Sequence, residues 1–412
     1  MLRFLMLAGC LAALTACGGG STETTPGQGA SGLRWWKGNT HTHTLWSDGN
    51  GAPELVTHLY HEQGYDFLVL SDHNVLSRGE KWFPIDGEKD RRLPQERVDE
   101  LASIFGADWV VERERDGRRE MRLKTLEEVR ARFESPDEFL LIEGEEITDS
   151  AEGVPVHLNA LNLADVVPPQ KGATKSETLQ NDIDAALAQA DEGRRVVVHI
   201  NHPNFGWALE PDDMMAIRGG HFFEIYNGHR GVQSNGDAEH LDTEALWDRL
   251  LARRLGPLDA GPMYGVATDD AHHYFDSPDG VANPGRGWIM VRAAKLDANS
   301  LLEAVERGDF YATTGVRLEI LEASAEEYRV EVTPEAGIRY TIEFLGTRRD
   351  RTEDGPFGEV LSRVEGSSAT YRTQGDELYV RARITSTRLH DSPFAPGDME
   401  MAWTQPVAIP AP

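Results

Sequence analysis

The chain has 412 residues, with 69 Asp and Glu against 41 Lys and Arg, a formal charge of −28. So acidic a surface repels nucleic acid and anionic lipid headgroups, which excludes nucleic acid as an expected partner. Its two cysteines, Cys10 and Cys17, are both accounted for by the segment described next, so neither a disulfide nor a thiolate metal ligand is expected.

Residues 1–17 read as a lipoprotein signal. Arg3 precedes an apolar run from Phe4 to Leu14, too short to span a bilayer but long enough for a signal core. Leu14-Thr15-Ala16-Cys17 has the pattern of a bacterial lipobox, which predicts cleavage before Cys17 and lipidation of its thiol. The alternative is an ordinary signal peptide with an incidental Cys. Residues 18–33 follow as a tether; Gly18 to Gly32 hold only Gly, Ser, Thr, Pro, Ala, Gln and one Glu, too little apolar surface to offset the entropy of ordering. The expectation is a soluble domain held at the cell envelope by a lipid on Cys17. It would face the periplasm, on the outer membrane of a Gram-negative host, since Gly18 follows the Cys.

From Trp35 onward short apolar runs alternate with helical patterns, the mark of an α/β domain with mainly parallel strands. Strands are predicted at Phe67 to Leu70, Phe139 to Ile142, Val196 to Val198, Phe222 to Ile225, Tyr264 to Ala267 and Trp288 to Val291. Helices are predicted at Ala52 to Glu62, Thr178 to Ala190 and Ser300 to Arg307. An insertion over about 75–136 contains a hairpin turning at Asp116-Gly117 and a helix from Thr125 to Phe133; inserts of this kind usually cover the mouth of an active site. The pattern therefore divides the chain into an α/β domain, 34–316, and a segment of β pattern only, 317–412. There Tyr340, Ile342 and Phe344, then Leu378, Val380, Ala382 and Ile384, alternate with polar residues. A small antiparallel, immunoglobulin-like sandwich is expected.

Nearly every predicted strand runs into residues able to bind metal. Leu70 leads to Ser71-Asp72-His73, Ile142 to Glu143-Gly144-Glu145-Glu146, Ile200 to Asn201-His202-Pro203, and Ala267 to Thr268-Asp269-Asp270-Ala271-His272-His273. Near the start stand His41-Thr42-His43 and Ser47-Asp48-Gly49. Strand C-termini of a parallel α/β barrel converge on one face, so these groups should meet. So many ionisable groups in one pocket are costly unless cations compensate them.

These motifs resemble those of the PHP family (polymerase and histidinol phosphatase domain): His41-Thr42-His43 with Ser47-Asp48-Gly49, Ser71-Asp72-His73, Gly144-Glu145-Glu146-Ile147, His202-Pro203 and Asp270-Ala271-His272, over about Gly38 to Gly315. The whole chain is similar to the CehA/McbA-like branch through Asn201-His202-Pro203-Asn204-Phe205, Tyr226-Asn227-Gly228-His229, Asn283 to Trp288 and Trp403-Thr404-Gln405-Pro406. The resemblance implies a distorted (β/α)7 barrel and nine metal ligands: His41, His43, Asp48, His73, Glu146, His157, His202, Asp270 and His272. Glu146 would bridge two ions, with Glu145 the alternative. Asp48, Glu146 and Asp270 are the expected catalytic carboxylates.

Of the other polar residues, His229 and His273 end strands at the active face and are candidate catalytic groups for substrate binding or proton transfer. Arg230 and Arg286 are candidate phosphate contacts, with a structural or surface role as the alternative. His199 is read as buried behind the ligands, His221 as starting a strand away from the site, and His58 and His61 as surface residues of the first helix. His240 and His390 have no motif context. An imidazole and carboxylate set suits two or three Zn, Mn or Fe ions, and two ions bridged by Glu146 could share a hydroxide. The expected function is hydrolysis of a small-molecule phosphoester. A carboxyl or carbamate ester is the alternative on the same cluster, and a non-catalytic envelope-binding lipoprotein is the alternative of another class.

Overall fold

A computed structural model describes residues 32–275 and 280–411. The expected signal, with Cys17, and nearly all of the tether lie outside them. None of the described helices is long and apolar enough to cross a membrane.

The chain enters through β1 (Arg34–Asn39), crosses by α1 (Pro53–Glu62) and returns as β2 (Phe67–Leu70). Pro53 opens α1, where its missing N–H costs nothing, and Leu55, Val56 and Tyr60 form its buried stripe. The insertion supplies β3 (Trp82–Pro84), α2 (Gln95–Phe105), β4 (Glu112–Arg115), β5 (Arg118–Arg122) and α3 (Leu126–Phe133). A capping box between Thr125 and Glu128 starts α3, satisfying two otherwise orphaned N–H groups. The main sheet resumes with β6 (Leu140–Ala151), β7 (Val154–Leu161), α4 (Lys175–Leu187), β8 (Val197–Ile200), α5 (Pro211–Met214), β9 (Phe222–Asn227), α6 (Thr243–Leu255), β10 (Tyr264–Thr268), β11 (Trp288–Ala293), α7 (Ala298–Glu306) and β12 (Phe310–Thr313). Every residue of β2, β8 and β12 is buried, as expected of strands covered on both faces.

The expected distorted (β/α)7 barrel is corrected in two respects. First, the parallel order is interrupted. β1, β2 and β6 are parallel, as are β8, β9 and β10, but β7 lies antiparallel between β6 and β8. The cause is a tight reversal at Glu152 and Gly153, whose φ angles are 53° and 84°, the left-handed conformation a two-residue hairpin requires. Second, the hydrogen-bonded sheet is open among the described residues, with β10 at one end. Part of that edge is met by the Gln405 side chain, which accepts from the Gly265 N–H (2.9 Å) and donates to the Gly265 carbonyl (2.8 Å). An amide from the far end of the chain thus takes the hydrogen bonds a closing strand would make.

The insertion also differs from expectation. Its apolar side, including Phe83, Leu93, Leu101 and Met121, packs on Leu45, Trp46 and Leu55. Lys124 accepts from Trp46 through its carbonyl, and Arg92 donates to the carbonyls of Ser47 (2.7 Å) and Gly49 (2.9 Å). It buttresses the loop that carries Asp48 rather than roofing the cavity described below.

The last third forms β13 (Leu318–Ala323), β14 (Glu327–Val332), β15 (Tyr340–Arg348), β16 (Glu359–Glu365), β17 (Ser368–Arg372), β18 (Glu377–Leu389), β19 (Met399–Thr404) and β20 (Val407–Ala408). β13, β14 and β17 make one antiparallel sheet, packed through Val330, Phe344, Tyr371, Val380 and Ile384 on the other. That other layer is continuous with the first sheet, because β19 pairs with β12. Beneath the junction a buried network joins Asp248 of α6 to Arg381 (2.7 and 2.8 Å) and to the Tyr379 hydroxyl (2.7 Å) of β18.

Candidate metal centre

The polar groups that end the strands meet at one cavity of about 280 Å³, lined by Asp48, His73, Glu146, His157, His202, Phe205, His229, Val232, Asp270 and His272. His41 and His43 leave β1 on an extended segment anchored by a bridge between Thr42 and Ala271, so the two imidazoles share a side while Thr42 turns away to donate to the Val69 carbonyl (2.6 Å). His73 follows β2 and bridges to Glu146. Glu146 lies on β6 and His157 beside it on antiparallel β7. His202 and Asp270 follow β8 and β10 at φ values of 25° and 49°, backbone that costs a non-glycine residue energy and persists where the surroundings enforce it.

Four overlapping groups have donor atoms all within 4.8 Å of one another: His43, Asp48, His73 and His272; His41, His202 and Asp270; His41, His43 and Glu146; Glu146, His157 and His202. Together they contain the nine residues named from the motifs, and no other residue. Glu146 is central. Its Oε1 accepts from Asn201 Nδ2 at 2.9 Å and stands 3.1 and 3.2 Å from His157 and His202. Its Oε2 lies 2.9, 3.3 and 3.4 Å from nitrogens of His73, His43 and His41. Glu145 faces the other way, accepting from the Val167 N–H (3.2 Å), and burial pushes its carboxyl up to about 8.

The donor set fits divalent cations. Glu146 Oε2 is buried and accepts no well-formed hydrogen bond although three imidazoles surround it. His41 Nδ1 stands 2.7 Å from Glu224 and His272 Nδ1 2.9 Å from the Asp270 carbonyl. Acceptors at those positions place a proton on each Nδ1. That leaves the Nε2 lone pairs of these rings aimed at carboxylate oxygens, Asp270 Oδ1 (3.2 Å) and Asp48 Oδ1 (3.3 Å). Lone pairs facing lone pairs need a cation or extra protons between them. The electrostatics agree. Burial would raise Glu146 and Asp270, but the surrounding imidazoles hold both carboxyls well below their ordinary range. Burial would lower His41, but Asp270, Glu224 and Glu146 raise it well above the usual imidazole value, and His73 rises to about 11 against the same penalty. Metal ions would take the place of these protons.

A second layer of residues was not among the ligands expected from the sequence. Asp72 accepts from Thr44 N (2.8 Å), Thr44 Oγ1 (2.8 Å) and Ser47 Oγ (2.5 Å), pinning the loop that presents Asp48. Thr148 Oγ1 is 2.5 Å from His73 Nδ1. Glu224, in the middle of β9, is fully buried. The available signal was its charge inside Phe222-Phe223-Glu224-Ile225, since a carboxylate is rarely buried without partners.

The other candidates separate. His229 lines the cavity, its ring 5.5 Å from that of His272. Its Nδ1 accepts from the Gly231 N–H (3.0 Å), and burial, with the nearby imidazoles, lowers it to about 4. His273 does not line the cavity; its N–H bonds the Ala282 carbonyl (3.0 Å). Arg286 is corrected. It is fully buried, and its guanidinium donates to the carbonyls of Gly228 (2.8 Å), Val281 (2.8 Å), Gly280 (2.5 Å) and Ser392 (3.2 Å). Arg230 likewise reaches the Pro393 carbonyl (2.7 Å) and is no part of the cavity wall. Both arginines tie the loop after β18 to the metal-site loops. His390 joins them, its Nε2 3.1 Å from the Arg286 carbonyl. His199 is buried behind the cluster, its Nε2 3.1 Å from Thr40 Oγ1. His221 is bonded by Arg254, His240 stacks on Trp207, and His58 and His61 pack edge-on against Phe105 and Phe139.

No protein family and no curated protein matches the sequence. Among solved structures, the chain is similar to a two-domain protein of Bacteroides vulgatus containing a predicted PHP-like metal-dependent phosphoesterase. The identity is 17%, the match covers 92% of this chain and 96% of that one, and the TM-score is 0.41. It is also similar to a candidate metal-dependent phosphoesterase of Bifidobacterium adolescentis, at 13% identity over 66% of this chain and 94% of that one, with a TM-score of 0.28.

Proposed function

We propose that this chain is a metal-dependent hydrolase of the PHP type that cleaves a small-molecule phosphoester, with its nine clustered residues holding two or three Zn, Mn or Fe ions. The observation that carries the reading is the convergence of six imidazoles and three carboxylates in one cluster of overlapping donor groups, with Glu146 reaching imidazoles on both of its oxygens. Bound divalent cations in such a site acidify water towards neutrality and neutralise charge on the oxygens of the ester. The chain's own groups set the rest. Glu146, Asn201 and the strand ends hold the donors in place. Asp48, the most exposed member at 55%, stands on the solvent side. His229, with Nδ1 accepting from Gly231, carries its proton on Nε2 and can donate to a substrate oxygen.

A second reading has an observation of its own. Neither Lys nor Arg lines the cavity among the described residues, while Phe205 and Val232 give it an apolar wall. A substrate of low charge, a carboxyl or carbamate ester, suits that wall better than a phosphomonoester dianion. The test is metal content of the purified full chain together with turnover of nitrophenyl phosphate, bis-nitrophenyl phosphate, nitrophenyl acetate and an aryl carbamate. Metal-dependent phosphoester cleavage is expected. A metal-loaded chain that cleaves only the carboxyl or carbamate esters establishes the second reading, and a chain without stoichiometric metal returns the binding-lipoprotein alternative. We further propose that the hydrolase is held at the cell envelope through Cys17.

A further inference from the structure

Among the described residues, Glu224 is a fully buried carboxylate directly behind the ligands that is not itself a member of the four donor groups and touches two of their residues, His41 and His202. Four donors converge on it. Oε1 accepts from His41 Nδ1 (2.7 Å) and Thr268 Oγ1 (2.7 Å). Oε2 accepts from the His202 backbone N–H (2.7 Å) and Asn227 Nδ2 (2.8 Å). Asn227 Nδ2 is also 3.2 Å from Asp270 Oδ2.

We infer that Glu224 is a positioning residue of the metal centre, fixing the His41 tautomer that points an Nε2 lone pair at the ions and holding His202 in its left-handed backbone conformation. The inference rests on the metal-site reading above and assigns no chemistry to Glu224 itself. The chemistry follows from counting donors. A carboxylate offers acceptors on both sides. A glutamine offers one acceptor and one NH₂. The His202 N–H cannot accept, so the amide oxygen must turn to that side and the NH₂ to His41 and Thr268. The threonine hydroxyl can rotate to accept. His41 can accept only by losing the Nδ1 proton, which moves it to Nε2, where it blocks ligation. Partners of this kind behind a metal-binding imidazole typically govern metal affinity by about 10- to 100-fold.

The experiment compares the full-length wild type, Glu224→Gln and Glu224→Asp. Zn²⁺ and Mn²⁺ affinities are read by chelator competition, alongside thermal unfolding of the metal-stripped chains. Glu224→Gln is expected to bind at least one ion about 10- to 100-fold more weakly, and Glu224→Asp, which keeps both acceptors and the charge, to fall between it and wild type. Equal losses of affinity in the two variants, matched by equal losses of metal-free Tm, would mean a merely structural role and overturn the inference. So would a Glu224→Gln chain that binds as wild type does. If Glu224→Gln does not fold, Glu224→Asp decides: weaker binding with an unchanged metal-free Tm supports positioning, and unchanged binding refutes it. A wild type that takes up no divalent ion overturns the metal-site reading along with this one, whereas unaltered variants beside a metal-binding wild type overturn this one alone.

Discussion

Replacing Glu146 with Gln removes one charge and leaves the shape. The amide oxygen can still accept from Asn201 Nδ2, now at 2.9 Å from Oε1. The NH₂ then occupies the Oε2 position, within 2.9–3.4 Å of His73, His43 and His41, where it presents hydrogens to the nitrogens that should face a cation. The charge lost would lie beside both of the ions that Glu146 is proposed to bridge. Two unit charges about 4 Å apart at an effective dielectric of 20 attract by about 4 kcal/mol, which is about a thousandfold in affinity. Glu146→Gln should therefore lose at least one ion per chain and cut turnover by orders of magnitude, while the far-ultraviolet circular dichroism stays that of wild type, because no core residue changes. Glu145→Gln is the control. It faces the Val167 N–H, which an amide oxygen accepts equally well, so metal content should not change. The assay is metal per chain by plasma mass spectrometry, with rates on the same samples. Loss of metal from Glu145→Gln but not from Glu146→Gln would show that the register through β6 is wrong by one. Full metal in both would refute the bridging role.

The remaining predictions address stability and location. Arg381 is fully buried against Asp248 and Glu244, so Arg381→Ala, which leaves the buried Asp248 carboxylate its Tyr379 hydrogen bond but removes its paired cation, should cost about 3–5 kcal/mol; a loss below about 1 kcal/mol in urea unfolding would refute that. Burial, with Asp149 nearby, raises Asp182 from 3.8 to about 7. The folded chain therefore holds this proton more tightly than the unfolded one, a contribution complete below pH 3.8 and lost as pH rises to about 7. Asp182→Asn should raise Tm at pH 8, with the gain shrinking to nothing near pH 4; a gain independent of pH would contradict this. Cys17→Ser should move the chain from the membrane to the soluble fraction with activity intact, and a variant that stays membrane-bound would disprove the anchor.

The donors of the site were legible because their signal is local. His41 and His43 sit two apart on extended backbone, and His73, His202 and Asp270 each follow an apolar run that can only be a buried strand. Residue type, period and burial are all recorded within a few positions of the chain. The β pattern after Arg317 was legible for the same reason.

Only the tertiary structure decided what those elements meet. Nothing near Gly265 shows that the Gln405 side chain takes its N–H and carbonyl, so the open sheet was hidden while its strands were not. Arg286 and Arg230 follow the active face in sequence, yet carbonyls of Ser392 and Pro393 hold them; a guanidinium takes the acceptors that packing brings to it. Glu224 reads locally as an oddity in an apolar strand, and its place is defined by His41, 183 residues away. The sequence alone brought forward the imidazoles and carboxylates that the fold gathers into the four donor groups, because strand ends carry their own side chains there. The tertiary structure decided how those groups are oriented and which charges are already engaged, because hydrogen-bond partners are set by contacts between segments far apart in the chain.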